Sequence, residues 1–307
     1  MPTVAFMLAP QLHVLDLAGP SQAFSTAAEE GHGYVLRYVA DQPDVPTAQG
    51  ITVRAETIWP DLGPQDLILV PGWQASAYGH GQPFREASLR RLAGHHAAGG
   101  MVASVCAGAR ALGAAGLLDG RRCTTHHDIQ DDLAARYPRA QVVRDVLYVV
   151  DRRVATSAGI ASGIDLALHL IAARHGPSAA ARVARSMVVY TRRNGEEQQA
   201  SAMLRHRGHL SDLAHRVQDQ IESRFTDRLP LTELAATCGV SERSLTRHFE
   251  KATGTTPLRY QQALRLERAE HLIGHGASVE SAALAVGFQD ARMLRRLRAR
   301  AVPEDGC

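Results

Sequence analysis

The sequence predicts two domains of different class: a doubly wound α/β domain with a parallel sheet, followed by an all-α domain with two helix-turn-helix units. Three observations carry this prediction. The chain has 307 residues, enough for two domains of roughly 100–200 residues each. Apolar runs alternate with helix-like stretches over residues 1–190, which indicates a parallel sheet covered on both faces. One helical pattern occurs twice near the C-terminus, over residues 234–247 and 282–295.

The elements of the α/β domain follow from apolar runs and the residues that interrupt them. The run over residues 66–70, for example, is apolar after its first residue and is stopped by Pro71 and Gly72, as expected of a strand buried on both faces. Strands are predicted over residues 4–8, 34–40, 66–70, 101–105, 147–150 and 153–156, and helices over residues 21–30, 84–98, 107–115 and 160–175.

A polar stretch over residues 191–209 is predicted to be a linker or an exposed helix between the two domains. Residues 210–307 form the second domain and show no strand pattern. Pro257 suits the first turn of a helix, where its missing N–H costs nothing. Helices are predicted over residues 211–224, 231–237, 242–253, 257–274, 279–285 and 290–300.

Composition limits the class of protein. Apolar residues make up 45% of the chain and charged residues 21%, as in ordinary soluble globular proteins. The net charge of +3 is too small to indicate nucleic-acid binding by itself. Residues 1–17 have no preceding basic region, so a buried strand is expected there rather than a signal peptide. No run approaches the ~20 apolar residues of a membrane span, and no membrane partner is predicted.

The cysteines are not arranged for metal or disulfide chemistry. Cys106, Cys123, Cys238 and Cys307 form no C-x-x-C pair, and no His/Cys cluster has metal-ligand spacing. A disulfide framework is therefore not expected, which fits a reducing cytoplasm. Neither a metal nor a cofactor is predicted.

The repeated pattern reads in both copies as helix, glycine-centred turn and helix. Glycine suits the turn because it tolerates positive φ without steric cost. A second helix that starts with polar residues and carries arginine can enter the major groove, so the two units are predicted to read successive segments of double-stranded DNA. The aligned pairs are Ala235 with Ala283, Gly239 with Gly287, Leu245 with Met293 and Arg247 with Arg295.

Periodicity separates the core face of the first recognition helix from its DNA face. Leu245 and Phe249 are spaced i, i+4 and are expected in the core. Arg243 and Ser244 are predicted to reach base edges, and Arg247 or His248 a base or a phosphate. For each of them the alternative is a solvated helix face. The candidate DNA-binding residues of this unit are Ser241, Arg243, Ser244, Arg247 and His248.

The second recognition helix carries a basic run with no acid in it. Arg292, Arg295 and Arg296 are the candidate DNA-binding residues, and Arg298 and Arg300 continue the run. Such a run suits phosphate contacts, and the alternative is a solvated, partly frayed C-terminal tail.

The segment 103–109 has the layout of a nucleophile elbow: a buried strand ends at Cys106, small residues follow and a helix begins. A thiol there would sit over a helix N-terminus, an environment that lowers its pKa and offers N–H groups to an anion. Loops at the carboxyl ends of parallel strands converge, so further residues are expected beside it. The predicted small-molecule site consists of Asp16, Gly72, Cys106, Ala107 and His126.

Catalysis at Cys106 would need a base beside the thiol. The following residue is Ala107 rather than histidine, which leaves Asp16 as the acid–base partner. The favoured interpretation is a pocket that binds a small molecule without turnover. The alternatives are a cysteine-dependent hydratase or hydrolase that uses Cys106 and Asp16, and a thiol that merely fills the core.

These stretches resemble two known families. Residues 3–190 are similar to the ThiJ/PfpI group of class I glutamine-amidotransferase-like domains, with a flavodoxin-like fold, and residues 210–300 resemble the AraC-type DNA-binding domain. The combination resembles transcription regulators that join the two. It implies an N-terminal domain that senses a small molecule, such as an amine or amino acid, and forms a homodimer. The matching stretches of the first domain are residues 15–20, 70–72, 104–108, 115–121 and 156–165.

The sequence departs from both family patterns. The ThiJ/PfpI elbow usually has Thr or His where this chain has Ala107, and Trp often stands at the position of His127. In the second helix-turn-helix unit Leu297 is aligned with Phe249, and the chain ends before a counterpart of Tyr260. The second helix-turn-helix unit is therefore expected to be looser or to bind DNA more weakly. A further alternative is a defective regulator whose second helix-turn-helix unit no longer binds DNA. Val302 also stands for Gly254, and Asp305 for Pro257.

Overall fold

The computed structural model describes residues 1–79, 81–189, 195, 199, 206–207, 209–274 and 276–301, and not the side chains of residues 300 and 301. The chain divides into two compact units, Met1–Gln199 and Ala200–Cys307. Most of the stretch 191–209, predicted to be a linker, lies outside the described residues, as do Val302 and Asp305.

The first unit is built on a six-stranded, mostly parallel sheet. Its strands and those of two small sheets are β1 (Thr3–Leu8), β2 (Val35–Ala40), β3 (Asp44–Pro46), β4 (Thr52–Arg54), β5 (Leu67–Val70), β6 (Met101–Val105), β7 (Arg122–Cys123), β8 (Gln141–Val142), β9 (Tyr148–Asp151) and β10 (Val154–Ser157). The main sheet has the order β2-β1-β5-β6-β10-β9. Only β9 runs antiparallel to its neighbour, at an edge, as is common in such sheets. The predicted doubly wound domain is confirmed.

Helices flank this sheet. They are α1 (Val14–Ala27), α2 (Glu86–Ala97), α3 (Ala109–Ala114), α4 (Gln130–Arg136), α5 (Ser162–His175) and α6 (Pro177–Ser186). α1, α5 and α6 pack on one another, while α2 and α3 pack together against β6. The central strands are buried on both faces, with Phe6, Ile68 and Val102 completely inaccessible. The carboxyl ends of β5, β6 and β10 therefore lie side by side at one edge.

The first helix starts seven residues earlier than the prediction of 21–30, at Val14 rather than residue 21. The predicted start lies just after Pro20, and proline disfavours a helix interior. In the structure Pro20 lies inside α1, where it and Phe24 are buried in the core. Packing of this face outweighs the local propensity. As a result Asp16 belongs to the first turn of a helix and not to a loop.

The sequence analysis does not predict the two small sheets or helices α4 and α6. β3 pairs with β4 and β7 with β8, and each of these strands has only two or three residues. So short a segment has no measurable alternation of apolar and polar residues. α6 follows α5 after one glycine and buries mainly alanines, which mark its core face weakly.

In the described residues of the second unit, all regular secondary structure is helical. Its helices are α7 (Asp212–Ser223), α8 (Leu231–Thr237), α9 (Glu242–Thr253), α10 (Pro257–Gly274), α11 (Val279–Ala285) and α12 (Ala291–Ala301). Two hydrophobic cores form, one from α7, α8, α9 and the start of α10, the other from the end of α10 with α11 and α12. Every described helix of the chain is too short or too polar to span a bilayer.

Candidate functional site

Cys106 occupies a strained turn between β6 and α3. Its φ of 53° is rare for a residue with a side chain, and a short 3₁₀ turn, Cys106–Gly108, leads into the helix. The turn packs so closely on β5 that a Cβ built on Gly108 would overlap the Val70 carbonyl oxygen. The cysteine is 8% exposed. The strand–cysteine–helix layout expected from the sequence is therefore present.

Asp16, Gly72 and Ala107 converge on Cys106. Asp16 lies in the first turn of α1 and is completely buried. A Cβ built on Gly72 would overlap the Asp16 carboxylate and would lie 2.7 Å from Cys106 Cβ. The same atom would lie 3.0 Å from the Ala107 nitrogen. Only a residue without a side chain fits at position 72, so four of the five predicted site residues are brought together.

Gly159 closes the same site from the end of β10 and is a residue that the sequence analysis does not single out. A Cβ built on it would lie 2.5 Å from Cys106 Cβ and 3.3 Å from Asp16 Oδ1. The usable signal is a glycine three residues after a predicted strand, at the edge where the other site residues are expected. The thiol and the carboxyl group are thus pressed between two glycines.

The pKa values of both groups are raised by burial. Burial raises the pKa of Asp16 to about 7, although the nearby Cys106 thiol and Gly72 N–H moderate the rise. Neither oxygen of Asp16 makes a hydrogen bond of ordinary geometry within the described residues. Burial, together with the negative charge of Asp16, raises the pKa of Cys106, against the opposing effect of the Ala107 N–H and Arg110. The prediction that the elbow lowers the pKa of this thiol is therefore wrong, because desolvation outweighs the helix N-terminus.

Cys106 is expected to alkylate slowly near neutral pH, since the thiolate is the reactive species and the pKa of this thiol is raised. Peptide mapping after timed exposure to iodoacetamide measures the rate at each cysteine. Half-buried Cys238 serves as the reactive control, and Cys123, which is buried and has its pKa raised to about 11, as the inert control. Alkylation of Cys106 faster than Cys238 would contradict the expectation and favour a nucleophilic role.

His126 lies beside the site rather than against the carboxyl group. It caps a 3₁₀ turn, with Nδ1 accepting a hydrogen bond from the Asp128 N–H at 3.4 Å. Burial, and then the neighbouring His127, lower the pKa of His126. The contact with the elbow is made one residue earlier, where Thr125 Oγ1 donates to the Cys106 carbonyl oxygen at 2.7 Å. Thr125 is a site residue that sequence reasoning missed.

A small cluster of possible metal ligands lies at this turn. One ligand atom each of His126, His127 and Asp128 lies within 4.8 Å of the others. Spacing rules for His and Cys do not pick this cluster because its residues are consecutive and include a carboxylate. His126 Nδ1 and His127 Nε2 lie 3.5 and 3.3 Å from the two oxygens of the Asp128 carboxylate, and each contact is an ion pair only when its imidazole is protonated.

The end of the first unit is fastened to the loop that carries Thr125. Gln199 Nε2 donates to the Thr125 carbonyl oxygen at 3.0 Å and to that of Val146 at 3.1 Å. The Gln199 N–H donates to Asp145 Oδ1 at 3.1 Å. Thr125 therefore contacts the Cys106 elbow through its side chain and Gln199 through its main chain. A hydrogen-bonded path joins the elbow to the last residue of this unit.

Both turn glycines of the second unit have the conformation that the sequence predicts. Gly239 has a φ of 68° and Gly287 a φ of 85°. This is the left-handed region, which residues other than glycine rarely adopt. Each copy of the repeat is a helix, a glycine turn and a helix, as expected.

The exposed face of α9 carries a stripe of positive charge. Arg243, Arg247 and Lys251 are spaced four residues apart, are exposed and line the same shallow surface. Leu245 and Phe249 are buried, as predicted. Within the described part of the chain, the three cations form no ion pair. Lys251 was missed, although the i, i+4 spacing points to it.

The other candidates in α9 contact their own helix. Ser241 caps α9, with Oγ accepting a hydrogen bond from the Ser244 N–H at 3.2 Å. His248 Nδ1 lies 2.7 Å from the Ser244 carbonyl oxygen, to which it can donate. Ser241 and His248 are exposed and Ser244 is half-buried. Glu242 and Glu250 flank the positive stripe on the same surface.

The turn of the second helix-turn-helix unit is one residue longer than an ungapped alignment of the repeat implies. α9 begins at Glu242, three residues after Gly239, whereas α12 begins at Ala291, four residues after Gly287. The sequence offset that aligns α8 with α11, the helices before the turns, therefore does not align the recognition helices α9 and α12.

Burial in α12 shows the same shift. Leu294 is completely buried, as is Leu245 in α9, whereas Met293 is only half-buried. The alignment of Leu245 with Met293, and with it that of Arg247 with Arg295, is therefore wrong by one residue. An alignment without a gap has no way to show an extra turn residue. The corrected pairs are Leu245 with Leu294, Arg243 with Arg292, and Arg247 with Arg296.

Two arginines of α12 pair with acids of other helices. Arg295 pairs with Glu280 of α11 at 2.5 Å, and Arg298 pairs with Glu270 of α10 at 2.7 Å. With the shift applied, Arg298 rather than Leu297 is the counterpart of Phe249. In the second helix-turn-helix unit, a half-exposed ion pair thus stands where the first has a buried aromatic side chain.

Arg292 and Arg296 are exposed on α12. Arg292 Nε lies 3.9 Å from Asp290 Oδ2, at the limit of an ion pair, and Arg296 Nη2 lies 3.1 Å from Met293 Sδ. The Arg300 side chain lies outside the described residues. The two helix-turn-helix units therefore present arginines at equivalent places, one turn apart on each recognition helix.

Comparison with known proteins matches both units. The model of the DJ-1/PfpI family matches residues 2–173, and a helix-turn-helix domain model matches residues 234–302. The chain is 27% identical to the HTH-type transcriptional regulator GbdR of Pseudomonas aeruginosa, over 88% of this chain and 73% of that protein. It is 34% identical to an isonitrile hydratase of Pseudomonas putida, over 54% of this chain and 69% of that protein. An AraC family transcriptional regulator from Pseudomonas putida has the same fold over 61% of this chain and 100% of its own, with a TM-score of 0.54 and 21% identity.

Proposed function

Because the chain belongs to the DJ-1/PfpI family and carries a helix-turn-helix domain after that family's domain, we infer that it is a sequence-specific DNA-binding transcription regulator. The observation that carries this function is the pair of exposed arginines at equivalent positions of two recognition helices. A relative named as an HTH-type transcriptional regulator matches across both units.

The two recognition helices divide their DNA contacts by position. Arg243 and Arg292 stand at the second residue of α9 and α12, where recognition helices meet base edges, and guanine is the base that arginine reads best. Arg247 and Arg296, one turn later, reach a base or a phosphate. Supporting contacts come from Ser241, Ser244, His248 and Arg295.

Binding to DNA from the protein's own promoter region tests this function. The full-length protein is titrated over a series of salt concentrations against that DNA and against a scrambled duplex of equal length. We expect a discrete site made of two segments, with affinity that falls steeply with salt because phosphate contacts release counterions. Equal affinity for the scrambled duplex at moderate salt would contradict the proposed function as a sequence-specific regulator.

The α/β domain senses a small cation without turning it over. The Asp16 carboxyl group is buried and makes no hydrogen bond of ordinary geometry among the described residues, so ionisation there is costly unless a positive group arrives. An amine or the ammonium group of an amino acid supplies that charge and several donors. Cys106, which lies beside this carboxyl group, keeps a small exposed fraction.

Cysteine-dependent hydration is the second candidate function, favoured by the strained elbow and by the similarity to an isonitrile hydratase. The raised pKa of Cys106 opposes it. Incubation with small isonitriles, for wild type and Cys106→Ser, separates the two. We expect no product that depends on Cys106. Turnover by wild type that is lost in Cys106→Ser would make the domain an enzyme.

Gln199 transmits the state of the elbow towards the DNA-binding domain. It is joined to Cys106 through Thr125, so a ligand that moves the elbow also strains this path. Gln199→Ala is expected to leave the affinity for an amine effector unchanged and to reduce the effector-induced change in DNA affinity severalfold. Gln141→Ala, an exposed glutamine of β8, is the matched control. An undiminished response in Gln199→Ala would remove Gln199 from the path.

The division of labour follows the two units. Residues 1–190 sense the effector, residues 191–209 link, and residues 210–307 bind DNA. The protein acts in the cytoplasm as a homodimer, in which effector binding changes how two DNA-binding domains meet one operator. Analytical ultracentrifugation of the full-length protein, with and without effector, measures the assembly. A monomer at concentrations that saturate the operator would contradict the dimer.

A further inference from the structure

The two hydrophobic cores of the second unit meet at one helix and one short loop. α10 contributes Tyr260 and Leu264 to the first core and Ala269 to the second. Phe225, in the loop after α7, packs against both cores. Apolar contact alone is not directional, so this joint needs further contacts to hold the two helix-turn-helix units at one angle.

Arg265, on α10 between the two cores, donates to main-chain carbonyl groups on both sides of the joint. Its Nε donates to Phe225 O at 2.6 Å, and its Nη2 to Thr226 O at 3.2 Å and Asp227 O at 2.7 Å. Its Nη1 donates to the carbonyl oxygen of Gly287, the turn glycine of the second helix-turn-helix unit, at 2.9 Å. One planar guanidinium group thus ties the loop after α7 to the second turn.

The neighbours of Arg265 leave this joint little freedom. Gln261, one turn earlier on α10, donates through Nε2 to the carbonyl oxygens of Phe225 at 2.9 Å and Asp227 at 2.8 Å. A Cβ built on Gly287 would collide with the Thr226 carbonyl oxygen, so the second turn sits directly on the loop. Sterics and hydrogen bonds therefore specify the same arrangement.

We propose that Arg265 is a positioning residue that sets the distance and phase between the two recognition helices, and thereby the spacing of the two DNA segments that the protein binds. This rests on the proposed function, since it requires both α9 and α12 to contact DNA. B-DNA advances ~3.4 Å and turns by about 35° per base pair, so a rigid joint makes binding sensitive to a single inserted pair. The fork matters more than the charge, because lysine cannot present donors in four directions within a plane.

Affinity gained by linking two contacts depends on how well the link holds the second contact over its target. With a rigid joint the second helix meets its segment at a high effective concentration at one spacing only. With a loose joint that concentration falls at the favoured spacing and is spread over neighbouring spacings.

The test uses full-length protein and a two-segment site selected from random duplexes by wild type. One base pair is inserted or deleted between the segments, and dissociation constants are measured for wild type, Arg265→Met, Arg265→Lys and Arg268→Met. Arg268, an exposed arginine on the same helix, controls for lost charge. Circular dichroism checks that each variant is folded at the assay temperature, and Arg265→Lys is the milder change if the methionine variant is not.

We expect wild type to lose about tenfold or more in affinity on either change of spacing. Both Arg265 variants should bind the selected spacing about tenfold more weakly, yet lose less than about threefold when the spacing changes. Arg268→Met should behave as wild type. A uniform loss at all spacings would overturn the proposal, since it would mean a merely structural role, and so would a wild type indifferent to spacing. If wild type selects no specific site, the proposed function has failed instead.

Discussion

Replacing Arg243 with alanine is expected to reduce affinity for the cognate DNA site about 10- to 100-fold and to relax the preference at one base pair. The side chain is exposed near the start of α9, and within the described residues no acid pairs with it. A bidentate contact to a base edge has no substitute once the guanidinium group is removed. Quantitative binding to the cognate site, to its single-base variants and to a scrambled duplex at one moderate salt concentration measures both effects.

Two further variants separate base reading from charge. Arg216→Ala removes an exposed arginine from α7, outside the recognition helices, and should leave both affinity and preference close to wild type. Lys251→Ala should weaken binding to all duplexes alike and lower the salt slope by about one, as for a phosphate contact. If Arg243→Ala instead weakens cognate and scrambled DNA equally, its contact is to phosphate and another residue reads the base.

Replacing Asp16 with asparagine is expected to stabilise the first unit at alkaline pH. Burial raises the pKa of Asp16 to about 7 in the folded protein from its ordinary value of 3.8. Between these values the folded state holds a proton that the unfolded state has lost, so the stability of wild type falls as pH rises through this window. The full effect is on the order of 4 kcal/mol above pH 7, and it is absent below about pH 4.

Denaturant unfolding from pH 5 to 8, followed by tryptophan fluorescence, measures this effect. Both tryptophans, Trp59 and Trp73, lie in the first unit, so the signal reports on that unit alone. The advantage of Asp16→Asn over wild type should grow with pH and shrink towards pH 5. Asp61→Asn, at an exposed position, should show no such trend. Equal pH dependence in wild type and Asp16→Asn would mean that the carboxyl group is not held protonated by burial.

The same substitution is expected to abolish the response to a cationic effector. An ammonium group pairs with ionised Asp16, so wild-type affinity for amines should rise about tenfold per pH unit below about 7 and level off above it. Calorimetric titration with a panel of amines and amino acids, in buffers of different ionisation enthalpy, also measures the proton released on binding. An effector that binds Asp16→Asn as tightly as wild type would show that another group recognises it. Stability gained at the expense of binding is a common trade at functional sites.

The helices of the second unit could be predicted almost to the residue. α8, α9, α10 and α11 begin and end where the sequence analysis places them. Local sequence signals set the boundaries of these helices. Ser241 and Ser278 accept capping hydrogen bonds, Pro257 starts a helix, and Gly239 forms a turn. Such signals act within a few residues, so they can be read without knowing what packs against the helix.

The α/β unit was predictable in its fold class and less so in its first helix and short strands. Alternation of apolar runs with helices requires a parallel sheet, and that sheet brings Asp16, Gly72 and Cys106 to one edge. Where α1 begins depends on burial of Pro20 and Phe24 against distant segments. The pKa of Cys106 likewise depends on desolvation by groups far apart in the chain, so the local elbow pattern predicts its direction wrongly.

By itself the sequence determined the two-domain order, the elbow, the repeated helix-turn-helix and the core residues of α9, since each follows from periodicity or from the φ preferences of a few neighbouring residues. Only the tertiary structure decided that Gly159 and Thr125 join the Cys106 site, that Arg296 and not Arg295 corresponds to Arg247, and that Arg265 ties two cores together. These features are set by burial and by hydrogen bonds between residues distant in the chain. No local pattern records which distant carbonyl group or carboxylate a side chain will meet.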